Sequence, residues 1–162
     1  MSRKFYIFLT LCTLLCIANA EAQTIALGER TPRFKNEKWL NGHKPEESGF
    51  TYIEFIHTAS EPCRQSAERI HKIVSELNDI AFVLITQQTA SEIDDWVVHY
   101  EDCKSGVIVD NASIRKSFGV NYAPYGVIID HKRRALWFGN PQLLNRATIE
   151  KLTKNGERRT EN

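Results

Sequence analysis

The sequence predicts a three-layer α/β domain, with a mixed β-sheet covered by helices on both faces, and three observations carry that expectation. Ile80 to Thr86 (IAFVLIT) is a continuous apolar run, the pattern of a strand buried on both faces. From Thr51 onward, strand-like and helix-like segments alternate, the order that joins neighbouring strands through crossover helices. YGVIID and RALWFG flank His131-Lys132-Arg133, the layout of a hairpin that adds antiparallel strands.

Each element has its own local reason. TYIEFI, Thr51 to Ile56, is β-branched and aromatic and stops at polar residues, which predicts a strand. A helix follows it: Ser60 suits the N-cap, Pro62 falls in the first turn where a missing N–H costs nothing, and Ala67, Ile70, Val74 and Leu77 share one face. Cys63 heads that stripe, four residues before Ala67. Thr89 and Glu92 have capping-box spacing ahead of Ile93, Trp96, Val97 and Tyr100, which predicts a second amphipathic helix. GVIVD, Gly106 to Asp110, is a third strand. Asp110 is then placed to cap a short helix holding Ile114 and Phe118 and closed by Gly119. A last helix is expected between Pro141 and Lys154.

The ends divide the chain further. Arg3 and Lys4, the apolar stretch Tyr6 to Ile17 and Ala18-Asn19-Ala20 form the pattern of an export signal over residues 1–20, cleaved before Glu21. Its apolar run falls short of the ~20 residues that span a bilayer, so no stable membrane span is expected after cleavage. Residues 21–49, with Gly28, Pro32, Gly42, Pro45 and Gly49, read as an irregular lead-in with short extended pieces that Trp39 and Leu40 pin to the core. Residues 50–154 form the domain, and 155–162 a polar tail. Loss of Arg3 and Lys4 takes the net charge from +1 to −1, leaving no basic field for nucleic acid. Of four cysteines, Cys12 and Cys16 leave with the signal, so Cys63 and Cys103 remain in a compartment, most simply the periplasm, where disulfides persist.

The chemistry centres on Ser60-Glu61-Pro62-Cys63. Free N–H groups at a helix start favour an anion there, while an apolar face disfavours one, and for Cys63 the two oppose each other. The residues alone leave Cys63 open between a small buried hydrophobe and a reactive thiol, and Ser60 between a plain N-cap and a chemical role.

EFIHTASEPCRQS resembles the E-F-W-A-T-W-C-x-P-C-R-Q-S segment of thioredoxin-fold proteins, above all the TlpA-type envelope disulfide reductases. The resemblance, which spans about Arg33 to Asn140, puts Ser60 at the attacking cysteine and Cys63 at the resolving one. Glu61 and Pro62 fill the middle positions, and Glu54 falls at an acidic residue that assists proton transfer. FGVNYAPYGVIID looks like the family's Y-G-V-x-x-x-P-T-x-x-x-I-D, which makes Pro124 the cis-proline facing the site, flanked by Ala123 and Tyr125. A thioredoxin-like fold is thereby implied. The departures are Ser60 for the nucleophile, Ala59 for the preceding tryptophan, Ile56 for the strand aromatic and Tyr125 for the threonine after the proline. They fall where the family contacts a disulfide substrate and imply a degenerate site that binds a thiol, a peptide or an envelope protein, with no cofactor.

Thiol–disulfide exchange requires a thiolate to attack and a second thiol to resolve the mixed disulfide, and a serine hydroxyl does neither. Cys103 is an unsuitable substitute. It follows the next crossover and lies at the opposite end of the strands, which span about 17–20 Å, whereas a disulfide needs Cα atoms within about 7 Å. Residual oxidoreductase activity remains one alternative. Another is a one-cysteine peroxidase, since peroxiredoxins carry an S-x-x-C or T-x-x-C signature and are oxidised to a sulfenic acid. His57, six residues before Cys63, raises metal binding, but neither C-x-x-C nor H-x-x-x-H accompanies it, so no metal site is expected.

Overall fold

The computed structural model describes residues 25–158; the expected export signal and the last residues of the expected tail, 159–162, lie outside the described residues. Six strands form one sheet: β1 (Lys38–Trp39), β2 (Phe50–Phe55), β3 (Ile80–Ile85), β4 (Ser105–Val109), β5 (Tyr125–Asp130) and β6 (Ala135–Gly139), in the order β1-β4-β3-β2-β5-β6. The three central strands β4, β3 and β2 are parallel; β5, β6 and β1 run antiparallel to their neighbours. The helices are α1 (Glu61–Ser75), α2 (Ala112–Ser117) and α3 (Arg146–Arg158).

Strand alternation divides the apolar residues into two cores. Phe50, Tyr52, Ile56, Phe82, Leu84, Val107 and Ile128 face α1 and α3 and pack with Cys63, Ala67, Ile70, Val74 and Ile149. Ile53, Phe55, Val83, Ile85, Ile108 and Val127 face the other way, against Ile114 and Phe118 at α2 and against Ile25 from the lead-in. All six residues of β3 are buried, as its unbroken apolar run requires.

Four local expectations change. The segment after β3 forms no α-helix; only Asp95–Tyr100 is helical, as a 3-10 turn. Glu92 does accept from the Thr89 backbone N–H at 2.9 Å and from its hydroxyl at 2.8 Å, but Asp94 is extended. Tertiary bonds hold it so: the Asp94 N–H donates to Thr58 Oγ1 at 3.2 Å and the Trp96 indole N–H to the Thr58 carbonyl at 3.0 Å. The apolar stripe still turns inward, with Val97 and Tyr100 buried. The cap of α2 is Asn111, whose Oδ1 accepts from the Ile114 N–H at 2.9 Å; Asp110, with φ 51°, pairs with Lys38 instead. The last helix starts later, at Arg146, after a 3-10 turn over Pro141–Leu143. It also runs through Arg158, into the stretch expected as tail, with Gly156 buried where an added Cβ would meet the Phe50 ring at 2.6 Å. The lead-in keeps to expectation: its short extended piece is β1, which pairs Trp39 with Ile108, and Leu40 is buried.

Asn111 also donates to the carbonyl of Asn36 at 3.2 Å, tying α2 to the lead-in. Asn111→Ala is expected to cost about 1–2 kcal/mol of unfolding free energy, the usual value of an N-cap, read from the denaturant midpoint at unchanged m-value.

Candidate functional site

Parallel strands with right-handed crossovers deliver chain turns to one end of the sheet, and here β2 ends at Phe55 and α1 starts six residues later. His57 and Ala59 are exposed, Thr58 is buried, and Ser60 is half-exposed. Ser60 has the extended backbone of an N-cap, φ −94° and ψ 112°, but its hydroxyl makes no capping bond. The first turn is closed by backbone alone: the Cys63 and Arg64 N–H groups donate to the Ser60 carbonyl at 3.0 and 3.1 Å. Glu61 and Pro62 are exposed. Glu61 accepts from Arg64 Nε at 2.9 Å and Gln65 Nε2 at 2.8 Å, and these bonds, Arg64 first, lower its pKa. The Cys63 side chain is 0% exposed and lies in the core beneath that turn. Cys63 and Cys103 are both free, Cys103 being exposed at the far end of the sheet ahead of β4.

The Ala123-Pro124 peptide is cis, and Ala123, Pro124 and Tyr125 are half-buried where β5 begins. Ala123 packs against the same apolar core that holds Cys63, and Phe55 pairs with Tyr125, so the loop after β2 and the Ala123-Pro124 segment lie at the same end of the sheet. Tyr125 carries the Tyr122 ring edge-on at 5.2 Å between centroids, and Tyr122 is 51% exposed. A groove of about 370 Å³ adjoins this end of α1, lined by Thr58, Ala59, Glu61, Arg64, Asp94, Asp95 and Trp96. His57 recruits no ligand set: among the described residues no three His, Cys, Asp or Glu side chains converge as a metal site would require.

Glu54 sits in the middle of β2, between Leu84 of β3 and Gly126 of β5, and is 0% exposed. Its Oε2 accepts from the Tyr52 hydroxyl at 2.6 Å. Gly126 makes room for that bond, since an added Cβ there would lie 2.9 Å from the Tyr52 hydroxyl. Burial pushes the Glu54 carboxyl up to about 7, against smaller downward pulls from Tyr52, Ser66 and Arg69. Although Ser66 lies near enough to contribute, neither its Oγ nor Glu54 Oε1 meets hydrogen-bond geometry with any described residue. Burial, followed by the Glu54 charge, raises Tyr52 well above the ordinary phenol value, so it remains a donor. Tyr52 and Ser66 escape a reading by motif. Their signals are periodic: Tyr52 is two residues from Glu54 on a strand, and Ser66 is three after Cys63 on a helix.

No protein-family model matches the chain, and no curated protein matches it. Solved structures do. The chain is similar to the thioredoxin domain of a thiol-disulfide oxidoreductase from Bacteroides vulgatus, at 13% identity and a TM-score of 0.61, covering 80% of this chain and 99% of that one. It is also similar to a thioredoxin-like protein from Aeropyrum pernix, at 16% identity and TM-score 0.57, with 72% and 81% covered. A third is a secreted disulfide oxidoreductase of Mycobacterium tuberculosis, at 14% identity and TM-score 0.53, with 67% and 84% covered. The fold is thus thioredoxin-like. At these identities the likeness defines architecture, and no helix among the described residues is long and apolar enough to cross a membrane.

Two measurements check this geometry. Under native conditions Cys103 should react with iodoacetamide at a rate typical of an exposed thiol, and Cys63 at least about tenfold more slowly, as its complete burial requires. The folded pKa of Glu54, about 7, lies above its ordinary 4.5, so the native state binds the extra proton and stability falls as pH rises from about 4.5 to 7. Glu54→Gln is expected to remove a loss on the order of 3 kcal/mol between pH 4.5 and 8, seen as a flatter unfolding free energy against pH.

Proposed function

We propose that this chain is an exported thioredoxin-like domain whose redox site, Ser60-Glu61-Pro62-Cys63, is degenerate, and that it acts at that site as a binding or single-thiol module, its one thiol, Cys63, masked by burial. The observation that carries the reading is the disposition of sulfur. Cys63 is fully buried, the half-exposed position ahead of it holds a hydroxyl, and the other described cysteine, Cys103, is exposed and free. Ordinary exchange requires attack by an accessible thiolate, formation of a mixed disulfide and displacement by a second thiol. Ser60 Oγ supplies no such attack, and Cys63 would have to leave the core before its sulfur met a substrate.

Binding needs none of those steps. The cis Ala123-Pro124 segment and the Tyr122–Tyr125 pair at the start of β5, and the groove beside Ala59 and Trp96 at the head of α1, offer apolar and polar groups to an extended peptide, a thiol compound or an envelope protein. Residues 1–20, read as an export signal, and the secreted relative of similar fold support action outside the cytoplasm. Burial of Cys63 counts against the one-cysteine peroxidase, whose sulfur must touch peroxide.

Reduction of insulin disulfides by dithiothreitol, followed by turbidity, tests the reading. The mature protein should leave the rate at background, and Ser60→Cys should raise it by at least about tenfold, because the variant restores the attacking sulfur at the accessible position. A wild-type rate equal to that of a C-x-x-C thioredoxin domain overturns the proposal.

A further inference from the structure

Among the described residues Glu54 Oε1 and Ser66 Oγ, two buried oxygens of neighbouring side chains under α1, meet no partner in hydrogen-bond geometry, and the start of that helix has no side-chain cap. These facts concern one region. Ser66 lies one turn after Cys63, and both are buried on the face of α1 that meets the sheet. The polar groups that act on the Glu54 carboxyl come from β2, α1 and the 3-10 turn. Tyr52, on the same strand, donates to Oε2. From α1 come Ser66 and the positive charge of Arg69. The Arg69 guanidinium donates to the carbonyls of Leu144 at 2.7 Å and Pro141 at 2.6 Å, so it is held at the α1–α3 boundary and makes no direct bond to Glu54. Tyr100, from the 3-10 turn, feels the Glu54 charge and is itself a neutral phenol. The flanking strands contribute Leu84 and Gly126, both apolar.

A neutral carboxyl fits this setting. An ionised one has one bonded donor, Tyr52 on Oε2, and beyond it only the nearby Ser66 hydroxyl and the more distant Arg69 charge, too little to replace water around a buried carboxylate. The least costly relief is local. The turn Glu61–Ala67 is held to the rest of α1 by helical bonds, but at its start only by the Ser60 carbonyl, and lifting it brings water to Glu54 Oε1 and Ser66 Oγ together. The same motion uncovers Cys63.

We propose that Glu54 is a protonation gate on the head of α1: its ionisation favours a locally open state in which residues 61–67 leave the sheet and the Cys63 thiol meets solvent. The inference adds a regulation to the Ser60–Cys63 site and rests on the reading of that site as a masked single thiol. In the open state the carboxyl titrates at its ordinary value, so opening releases one proton where the closed form still holds it. The open population therefore rises with pH up to the closed-state titration and is constant above it.

Amide hydrogen exchange on the mature protein tests the gate, with intrinsic rates corrected for pH. Protection of the Cys63–Ala67 amides should fall by up to about tenfold per pH unit between pH 5 and 7 and level off by pH 8. Throughout, it should remain below the protection of the Phe82–Leu84 amides of β3, which report whole-domain unfolding. Glu54→Gln should abolish the slope. Tyr52→Phe, which removes the donor to the ionised form, should move the levelling-off to higher pH, and it serves where the Gln variant does not fold. Protection at α1 that is independent of pH, equal to that of β3, or unchanged in slope in Glu54→Gln overturns the gate. So does an unshifted Tyr52→Phe profile. The insulin assay is unaffected by any of these outcomes, so this inference and the proposed function fail separately.

Discussion

A carboxyl group at the centre of the sheet is the constraint on which the arrangement of this end of the molecule depends. Glu54 is on the most central strand, paired on both sides, with no route to solvent along the sheet. The structure accommodates it with a phenol donor two residues earlier on the same face and with a glycine opposite, where any side chain would push the phenol away. The compensation is partial. Burial outweighs the Tyr52 bond and the weaker pulls of Ser66 and Arg69, so the group titrates near neutrality and its protonation is tied to folding.

The same strand delivers the head of α1, and the site inherits its character from that junction. The helix starts without a side-chain cap, presents Ser60 and Glu61 outward, and turns Cys63 inward beneath them. A sulfur at that depth behaves as a small core hydrophobe while the helix is closed. At the same end of the sheet, where Phe55 pairs with Tyr125, lie the cis Ala123-Pro124 segment and the Tyr122–Tyr125 pair, while the exposed cysteine among the described residues, Cys103, lies ahead of β4.

Long-range tethers explain where local patterns mislead. Thr89 and Glu92 do bond as a capping box would, yet the helix they announce is replaced by a 3-10 turn because Thr58, in the site loop, takes the Asp94 N–H and the Trp96 indole. Asp110 is drawn off to Lys38 on β1, and Asn111 caps α2 in its place while reaching the lead-in. In each case the competing partner is more than 30 residues away in sequence, beyond any window over which periodicity or capping operates.

The sequence by itself determined the layers and their order. Continuous apolar runs identify buried strands, i to i+4 stripes identify the helix faces, and the hairpin signal fixes the antiparallel edge, because these patterns reflect burial that acts residue by residue. It also marked Ser60, Cys63, Glu54 and Pro124 as the residues to examine. Only the tertiary structure decided what surrounds them: that Cys63 is wholly buried, that Tyr52 satisfies one oxygen of Glu54 and nothing satisfies the other, and that Thr58 and Trp96 build the groove. Hydrogen-bond satisfaction and solvent access belong to atoms brought together from different elements, and they exist only once the elements have packed.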